Sequence, residues 1–390
     1  MSRNCVKASL EFVPSSQMRA VGVFPRKREI EEVSMKTPRI TAADQVFLKI
    51  LEVGICGTDR EISSFEYGTP PKDSEFLIIG HEMLGEIVDV GRAVKSVKIG
   101  DLAVLTVRRP CTHKSCAPCR AGYPDFCNSD DYIERGIKGA QGFMSEFVVD
   151  NVKYVHRVPR NLRNVAVLTE PLTIAEKAID QSISIVRRLP WLEELDWSNM
   201  KIGHRLGITS VVLGAGAVGL LGAMALISAG SDTYVYALPH APNPGSEFVE
   251  SIGGKYYSPG KISTETRKKL LGHVHLIYEA TGSSRLAFSM LKILGHNSEF
   301  VLTGVPSLKG PYEIDGDLLM RDIVLKNQVL FGSVNASSEN FDEAIRDLAN
   351  FEKRWPGRLG SLIGERVPFD KAPEALGRGS KGIKTVVSFD

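Results

Sequence analysis

The chain has 390 residues, enough for two or three domains, and its 43% hydrophobic and 24% charged residues are an ordinary mix for a soluble globular protein. A formal net charge of +2 gives no reason to expect nucleic acid or an anionic membrane as partner, and no apolar run approaches the roughly 20 residues that span a bilayer. Residues 1–17 lack the apolar middle of a signal peptide and read as a flexible leader, so a cytoplasmic protein is expected.

From Met18 the pattern is β-rich. Residues 18–24 and 45–55 are short, roughly alternating, β-branched runs that predict strands. The second run ends in Gly54-Ile55-Cys56-Gly57-Thr58-Asp59. A cysteine at a strand end, with a hydroxyl two residues on, suits a zinc thiolate beside a proton relay; taken alone, Cys56 reads equally as a buried structural cysteine.

The next segment decides between them. Gly80-His81-Glu82 is followed by Gly85, Gly91 and Val94. This is the pattern GHE-x2-G-x5-G-x2-V, the zinc signature of the medium-chain, zinc-dependent alcohol dehydrogenases, with every fixed position filled. The chain resembles that family over nearly its whole length from Met18 onward, and Lys98 to Val104 fits the family's "GD-x-V" turn and strand. The resemblance implies an α/β protein with two parts, a GroES-like β-rich catalytic domain and a Rossmann doubly wound dinucleotide-binding domain. The boundaries expected are 18–206 for the first, 207–335 for the second, and 336–390 for a return to the first.

Cys111, Cys116, Cys119 and Cys127 fall within 17 residues. In a large cytosolic chain four such thiols suit the closed tetrahedral geometry of a structural zinc that stiffens a long loop. The family spacing is C-x2-C-x2-C-x7-C, whereas the first gap here is longer by two residues. Either Cys111 or His113, inside the enlarged gap, completes the site. Cys5, in the leader, reads as a bystander.

The stretch from Asp131 to Phe147 contains Glu134-Arg-Gly-Ile and Gly142-Phe-Met-Ser-Glu-Phe. It resembles the sugar-oxidising branch of the family, the archaeal-type glucose 1-dehydrogenases, in which a glutamate at this position hydrogen-bonds sugar hydroxyls. A carboxylate suits that task because it accepts from two adjacent O–H groups. Further on, Glu170-Pro171-Leu172 matches the place where the family puts a metal or substrate ligand, the proline being read as the first helical position. By resemblance Cys56, His81 and Glu170 are the protein ligands of a catalytic zinc, with Glu82 as a neighbouring partner or an exchanging fourth ligand. Ser182 to Gly207 reads as a linking helix followed by a loop.

Ile208 to Gly230 is the strongest local signal. A buried strand ending in Val211-Val212-Leu213 runs into Gly214-Ala215-Gly216-Ala217-Val218-Gly219 and an Ala/Leu-rich helix. That order is the dinucleotide fingerprint: Gly214 for the tight turn, Gly216 for close approach of the pyrophosphate, Gly219 for close packing. Asp232 to Ala237 reads as the second strand, whose end normally carries an acid for NAD or arginines for NADP. Here it continues Leu238-Pro239-His240 with neither; His240 can donate to a 2′-phosphate, so NADP or either cofactor is expected. Buried strands ending in Thr281-Gly282 and Gly304-Val305 fit further cofactor-lining loops, and Asn335 matches a position the branch places near nicotinamide and sugar.

The resemblance thus implies zinc-dependent oxidation of an aldose, glucose foremost, at C1 to the lactone, with hydride transfer to NAD(P). Zinc lowers the pKa of the reacting hydroxyl and Thr58 passes its proton towards water. A polyol or simple alcohol dehydrogenase on the same scaffold is the nearer alternative; a nucleotide-binding protein without turnover is the distant one. A small sugar is the expected partner, and a homotetramer is implied by resemblance alone.

Overall fold

The computed structural model describes residues 14–192, 207–259, 271–307 and 310–389. Residues 1–13 of the leader, Cys5 among them, and residues 193–206 of the linking stretch lie outside the described residues.

A first small sheet pairs β1 (Gln17–Phe24) with β2 (Glu29–Lys36), antiparallel over eight residues. A seven-stranded sheet follows, centred on β3 (Gln45–Ile55), which is buried along most of its length. After α1 (Gly57–Ser63) come β4 (Leu77–Ile78), which edges the first sheet, and β5 (Glu82–Val90), which pairs with β3. β6 (Leu102–Leu105) follows a turn at Gly100 (φ +85°), so the strand begins later than the expected Lys98. Lys98 to Asp101 instead makes that turn, closed by the Asp101 side chain accepting from the Lys98 N–H.

A third sheet is short but central to the site: β7 (Arg108–Arg109), β8 (Ile133–Arg135) and β9 (Gly139–Ala140). Between its first two strands lies α2 (Ala117–Arg120) in the cysteine lobe. β10 (Phe147–Asn151) then takes the outer edge of the first half of β3, and β11 (Val155–Val158) the edge of β6.

The long helix α3 (Thr169–Val186) opens at Thr169, so Pro171 occupies its third position rather than its first. The proline is tolerated there because the first four helical N–H groups have no intrahelical acceptor. Of the expected linking helix, the described part is the end of α3, to Val186, and a short 3-10 turn at Pro190–Leu192.

The second half is a six-stranded sheet, all parallel. β12 (Thr209–Leu213), α4 (Ala217–Ser228), β13 (Asp232–Tyr236), α5 (Pro244–Ser251), β14 (Lys255–Tyr257), β15 (Val274–Glu279), β16 (Leu294–Leu302) and β17 (Val329–Gly332) build it. Its order, β14-β13-β12-β15-β16-β17, reverses direction between β12 and β15, and a ligand crevice belongs at that reversal. After the helix Ser338–Arg354 the chain returns to the first half. β18 (Ile363–Pro368) runs parallel to β19 (Lys384–Ser388), which pairs with the second half of β3. One edge of β3 is thus shared by β10 and by the last strand of the chain. A single hydrophobic cluster runs from Ala20 to Val387 and includes α3 and α4.

α3 packs against α4, the helix Ser338–Arg354 and β16, so it ties the two halves together. On β16, Glu299 is buried under this helix, and burial pushes its carboxyl up to about 8, with Arg188 pulling the other way. A raised carboxyl keeps its proton in the folded state while the unfolded one, near 4.5, has lost it. Its contribution to stability is therefore full below pH 4.5 and is lost as pH rises towards about 8, where the folded group also ionises. Urea midpoints measured across that window will fall with pH in the parent protein and fall less steeply in Glu299→Gln.

Candidate active site and metal centres

The end of β3 and the start of β5 bring the first donor set together. Ligand atoms of Cys56, His81 and Glu82 all lie within 4.8 Å of one another. His81 and Glu82 are buried and Cys56 is partly buried. Asp59, with no exposed surface, accepts from the backbone N–H of Cys56 at Oδ2 (2.9 Å) and of Gly80 at Oδ1 (3.1 Å), and His81 Nδ1 stands 3.5 Å from that same Oδ1. It thereby orients the imidazole, as a carboxylate behind a metal-binding histidine does. Burial works against a charge on Asp59, but the His81 charge and these bonds outweigh it and lower its pKa; the same pairing raises His81 against burial.

Lys384 comes in from β19, buried, and contacts Glu82 directly. Burial would discharge the ammonium, yet the Glu82 charge raises its pKa. Gly54 of β3 leaves the room: a Cβ there would meet Glu82 Oε2 at 2.1 Å.

Glu170, at the start of α3, is not a member of the 4.8 Å cluster, in which Glu82 stands instead. Loss of water around its carboxyl pushes it up to about 7; His81 and Lys384 lower it, while Glu82 and Asp59 raise it. Its carboxyl therefore lies near enough to His81, Glu82 and Lys384 to respond to their charges. Thr58 is the second residue of α1, half-buried beside Cys56. A thiolate, an imidazole and a carboxylate with an open side are a donor set that fits a catalytic zinc.

The second donor set is the cysteine lobe. The sulfurs of Cys111, Cys116, Cys119 and Cys127 converge within 4.8 Å, and Cys116 and Cys127 are 3.8 Å apart. Tetrahedral zinc with bonds of about 2.3 Å requires sulfur separations of about 3.8 Å, so the cage fits that metal. His113 lies outside it, exposed and paired with Asp131. Burial raises the Cys127 thiol, but hydrogen bonds from Ser129 outweigh this and bring it down to about 6.

Glu134, the residue expected to meet a sugar, sits on the third sheet. Arg108 and Glu134 face each other across β7 and β8, and their side chains make a buried ion pair at 2.9 Å. Asn335 (φ +58°) donates to Glu134 Oε1 at 2.8 Å, which brings the segment after β17 onto the same carboxylate.

The cofactor-type turn is built as its glycines demand. Gly214 has φ +110°, and a Cβ on Gly219 would meet the Gly214 carbonyl oxygen at 2.2 Å. Gly216 is exposed with nothing near its Cβ position, and α4 starts at Ala217 and Val218. Beside it, Glu279 at the end of β15 accepts from the N–H of Thr281 (2.6 Å) and of Gly282 (3.0 Å). A Cβ on Gly304 would meet Gly282 N at 2.0 Å, so the loops after β12, β15 and β16 close on one another, with Val305 exposed at the rim. His240 is exposed past β13, its Nδ1 held 3.0 Å from Ser258 Oγ. Between Ala237 and Ser246 there is neither acid nor arginine.

Asp59, Lys384 and Arg108 are not among the residues the sequence singles out. An acid three residues after Cys56, at the capping position of α1, and a cation opening the apolar strand β19 are the signals that mark the first two; Arg108, in the two-arginine strand β7, carries no such signal.

Comparison with known proteins agrees with this geometry. Residues 42–160 match the family described as the alcohol dehydrogenase GroES-like domain, and residues 163–389 match the glucose dehydrogenase C-terminus. The chain is 35% identical to glucose 1-dehydrogenase of Methanocella arvoryzae over 373 residues, covering 95% of this chain and 99% of that one. It is 37% identical to glucose 1-dehydrogenase of Thermoproteus tenax, with coverages of 95% and 99%. Among solved structures, glucose dehydrogenase of Haloferax mediterranei in complex with NADP, Zn and gluconolactone superposes with a TM-score of 0.82 at 29% identity, covering 96% of this chain and 99% of that one.

The two candidates for the fourth lobe ligand separate by metal analysis. Cys111→Ser will lower bound zinc and the thermal midpoint together. His113→Ala will leave the zinc content at the parental value, because its ring lies outside the cage.

Proposed function

Since the chain belongs to the glucose dehydrogenase branch of the zinc-dependent medium-chain dehydrogenases, we propose that it oxidises an aldose, glucose foremost, at C1 to the lactone and passes the hydride to NAD(P). One observation carries the proposal: the chain pairs a Cys56–His81–Glu82 cage with a Glu134 carboxylate that is tied to Asn335, three residues past the last strand of the dinucleotide fold. When bound, zinc supplies Lewis acidity at the reacting hydroxyl and the nicotinamide supplies the hydride acceptor.

The chain's own residues do the rest. In this reading Cys56, His81 and Glu82 or Glu170 hold the catalytic metal, and Cys111, Cys116, Cys119 and Cys127 the structural one. Glu134 and Asn335 bind sugar hydroxyls, and Thr58 accepts the C1 hydroxyl proton and releases it towards water. Gly214, Gly216, Ala217, Val218 and Gly219 receive the pyrophosphate, while Thr281, Gly304, Val305 and Asn335 line the nicotinamide side. His240 meets the adenosine ribose, with NADP or both cofactors accepted.

The proposed setting is the cytoplasm, where thiols for both metal sites stay reduced. Among the described residues, no helix is long and apolar enough to cross a membrane. The proposed assembly is a homo-oligomer. Among the described residues β17 pairs only with β16, and just before it in the chain the helix Gly316–Leu325 has no buried residue and presents Leu318, Met320, Val324 and Leu325 to solvent. A second copy covers such a surface most economically. Light scattering will give a multiple of the chain mass, and Met320→Lys with Val324→Lys will lower it; a monomeric parent protein would end this reading.

The activity itself is tested by initial rates of nicotinamide reduction, with glucose, galactose, xylose, sorbitol and ethanol, each against NAD and NADP. Aldoses will be the fast substrates. Glu134→Gln will reduce kcat/KM for them roughly 10- to 100-fold, the loss expected for one charge-assisted hydrogen bond. Activity confined to open-chain alcohols would favour the polyol or alcohol dehydrogenase reading instead.

A further inference from the structure

Glu134 is buried, and the way it is held is asymmetric. Arg108 reaches it with two nitrogens, Nε at 3.0 Å and Nη2 at 2.9 Å, and both land on Oε1 rather than one on each oxygen. Asn335 Nδ2 donates to the same oxygen at 2.8 Å. Among the described residues no donor reaches Oε2. One carboxylate oxygen is saturated by the protein and the other is left as an acceptor.

Arg108 is itself fixed from three sides. Its guanidinium carbon lies 3.7 Å from the centroid of the Tyr132 ring, and its strand position opposite Glu134 is set by the β7–β8 register. Its third nitrogen, Nη1, donates to the main-chain carbonyl of Asp125 in the cysteine lobe at 3.2 Å. The Asp125 carboxylate in turn faces Lys177 Nζ at 2.7 Å, and Lys177 of α3 donates to the carbonyl of Val334 at 2.8 Å, next to Asn335. The contacts close into a ring: Glu134, Arg108, Asp125, Lys177, Val334, Asn335 and back to Glu134. Arg108, Asp125, Glu134 and Lys177 are all buried, two cations against two anions. In a buried set of this kind each charge depends on its partner, since removing one strands another without compensation.

We propose that Arg108 is the positioning residue that gives Glu134 its sugar selectivity, by supplying its counter-charge and occupying Oε1 so that Oε2 alone meets the substrate. The proposal rests on the reading of Glu134 as a sugar contact. A planar guanidinium suits the task because its nitrogens are held in a rigid fork, whereas an ammonium on a flexible stem fixes no direction. The ring also couples the cysteine lobe to substrate recognition, since the lobe's Asp125 carbonyl sets where the fork stands.

The test compares Arg108→Met, Arg108→Lys, Glu134→Gln and Arg108→Met/Glu134→Gln in the metal-loaded enzyme, using glucose and each of its monodeoxy analogues. Thermal midpoint and zinc content are measured alongside. Arg108→Met is expected to raise KM for glucose roughly tenfold or more while changing kcat and the KM for NAD(P) far less. It should also lose discrimination at the same hydroxyl as Glu134→Gln, with the double variant no worse than the poorer single one. Arg108→Lys, which keeps the charge without the fork, should recover only part of the selectivity.

Discrimination at the parental level in Arg108→Met, while Glu134→Gln loses it, overturns the role of Arg108. So does a lowered thermal midpoint with equal losses on every sugar, the mark of a purely structural residue. If Glu134→Gln keeps full discrimination, the Glu134 reading fails instead. Should Arg108→Met not fold, Arg108→Lys carries the test, and parental KM and selectivity in that variant sink the proposal.

Discussion

The contact between Glu82 and Lys384 is the constraint on which the rest of the catalytic half depends. A carboxylate with no exposed surface needs a cation within reach, and this one receives it from a strand just over 300 residues further along the chain. β19 must therefore come back to β3, and the dinucleotide fold has to be inserted between the two contributions to one sheet. Beside this pair stands the second, Asp59 with His81, anchored by the N–H groups of Cys56 and Gly80. The two pairs hold a thiolate, an imidazole and a carboxylate at one spot without any of them collapsing onto a wrong partner. Such pre-organisation is what a metal site with an open position requires.

The same logic is repeated around Glu134 and Arg108, and α3 joins the two places. Its first turn carries Glu170, which responds to His81, Glu82 and Lys384. Seven residues on, about two helical turns, it carries Lys177, whose ammonium is shared between Asp125 and the Val334 carbonyl. A helix tied down at its first turn and at its middle fixes the spacing between the metal cage and the buried Glu134–Arg108 pair. Because α3 also packs on α4 and β16, that spacing is tied to the crevice of the dinucleotide fold. Precision of this kind is delivered by secondary structure rather than by loops.

What was legible in the sequence was whatever local spacing encodes. The strand–turn–helix of the fingerprint was readable because each glycine has its own steric reason, borne out at Gly214 and Gly219. The cysteine cluster was readable as a metal cage, but its longer first gap left Cys111 and His113 open. The backbone resolves the geometry by absorbing the extra residues in a turn, in which the Cys116 N–H meets the His113 carbonyl, so that Cys111 still reaches the other sulfurs. The partners of Lys384, Arg108 and Lys177 were not legible, because local sequence does not say which distant residue compensates a buried cation. Their partners lie 302, 26 and 52 positions away, and only the fold sets those distances. The helix start before Pro171 was misplaced for a smaller reason: the sterics that exclude proline from a helix interior do not act on its first turn.

The adenosine end of the crevice follows a different physical logic from the rest of the site. The pyrophosphate turn relies on backbone geometry and admits little variation, whereas the end of β13 relies on side chains and here offers few. No carboxylate between Ala237 and Ser246 repels a phosphate, and no arginine offers it a bidentate grip. His240 gives one imidazole, steadied by Ser258, on a loop braced where Asn243 Nδ2 donates to the His240 carbonyl and Tyr256 Oη to that of Pro239. A single hydrogen bond at an exposed position is a weak selector compared with a desolvated charge pair, because water competes for the same partner. The difference between the two cofactors is therefore expected to be small at this end of the site, in contrast to the buried, fully charged ring around Glu134.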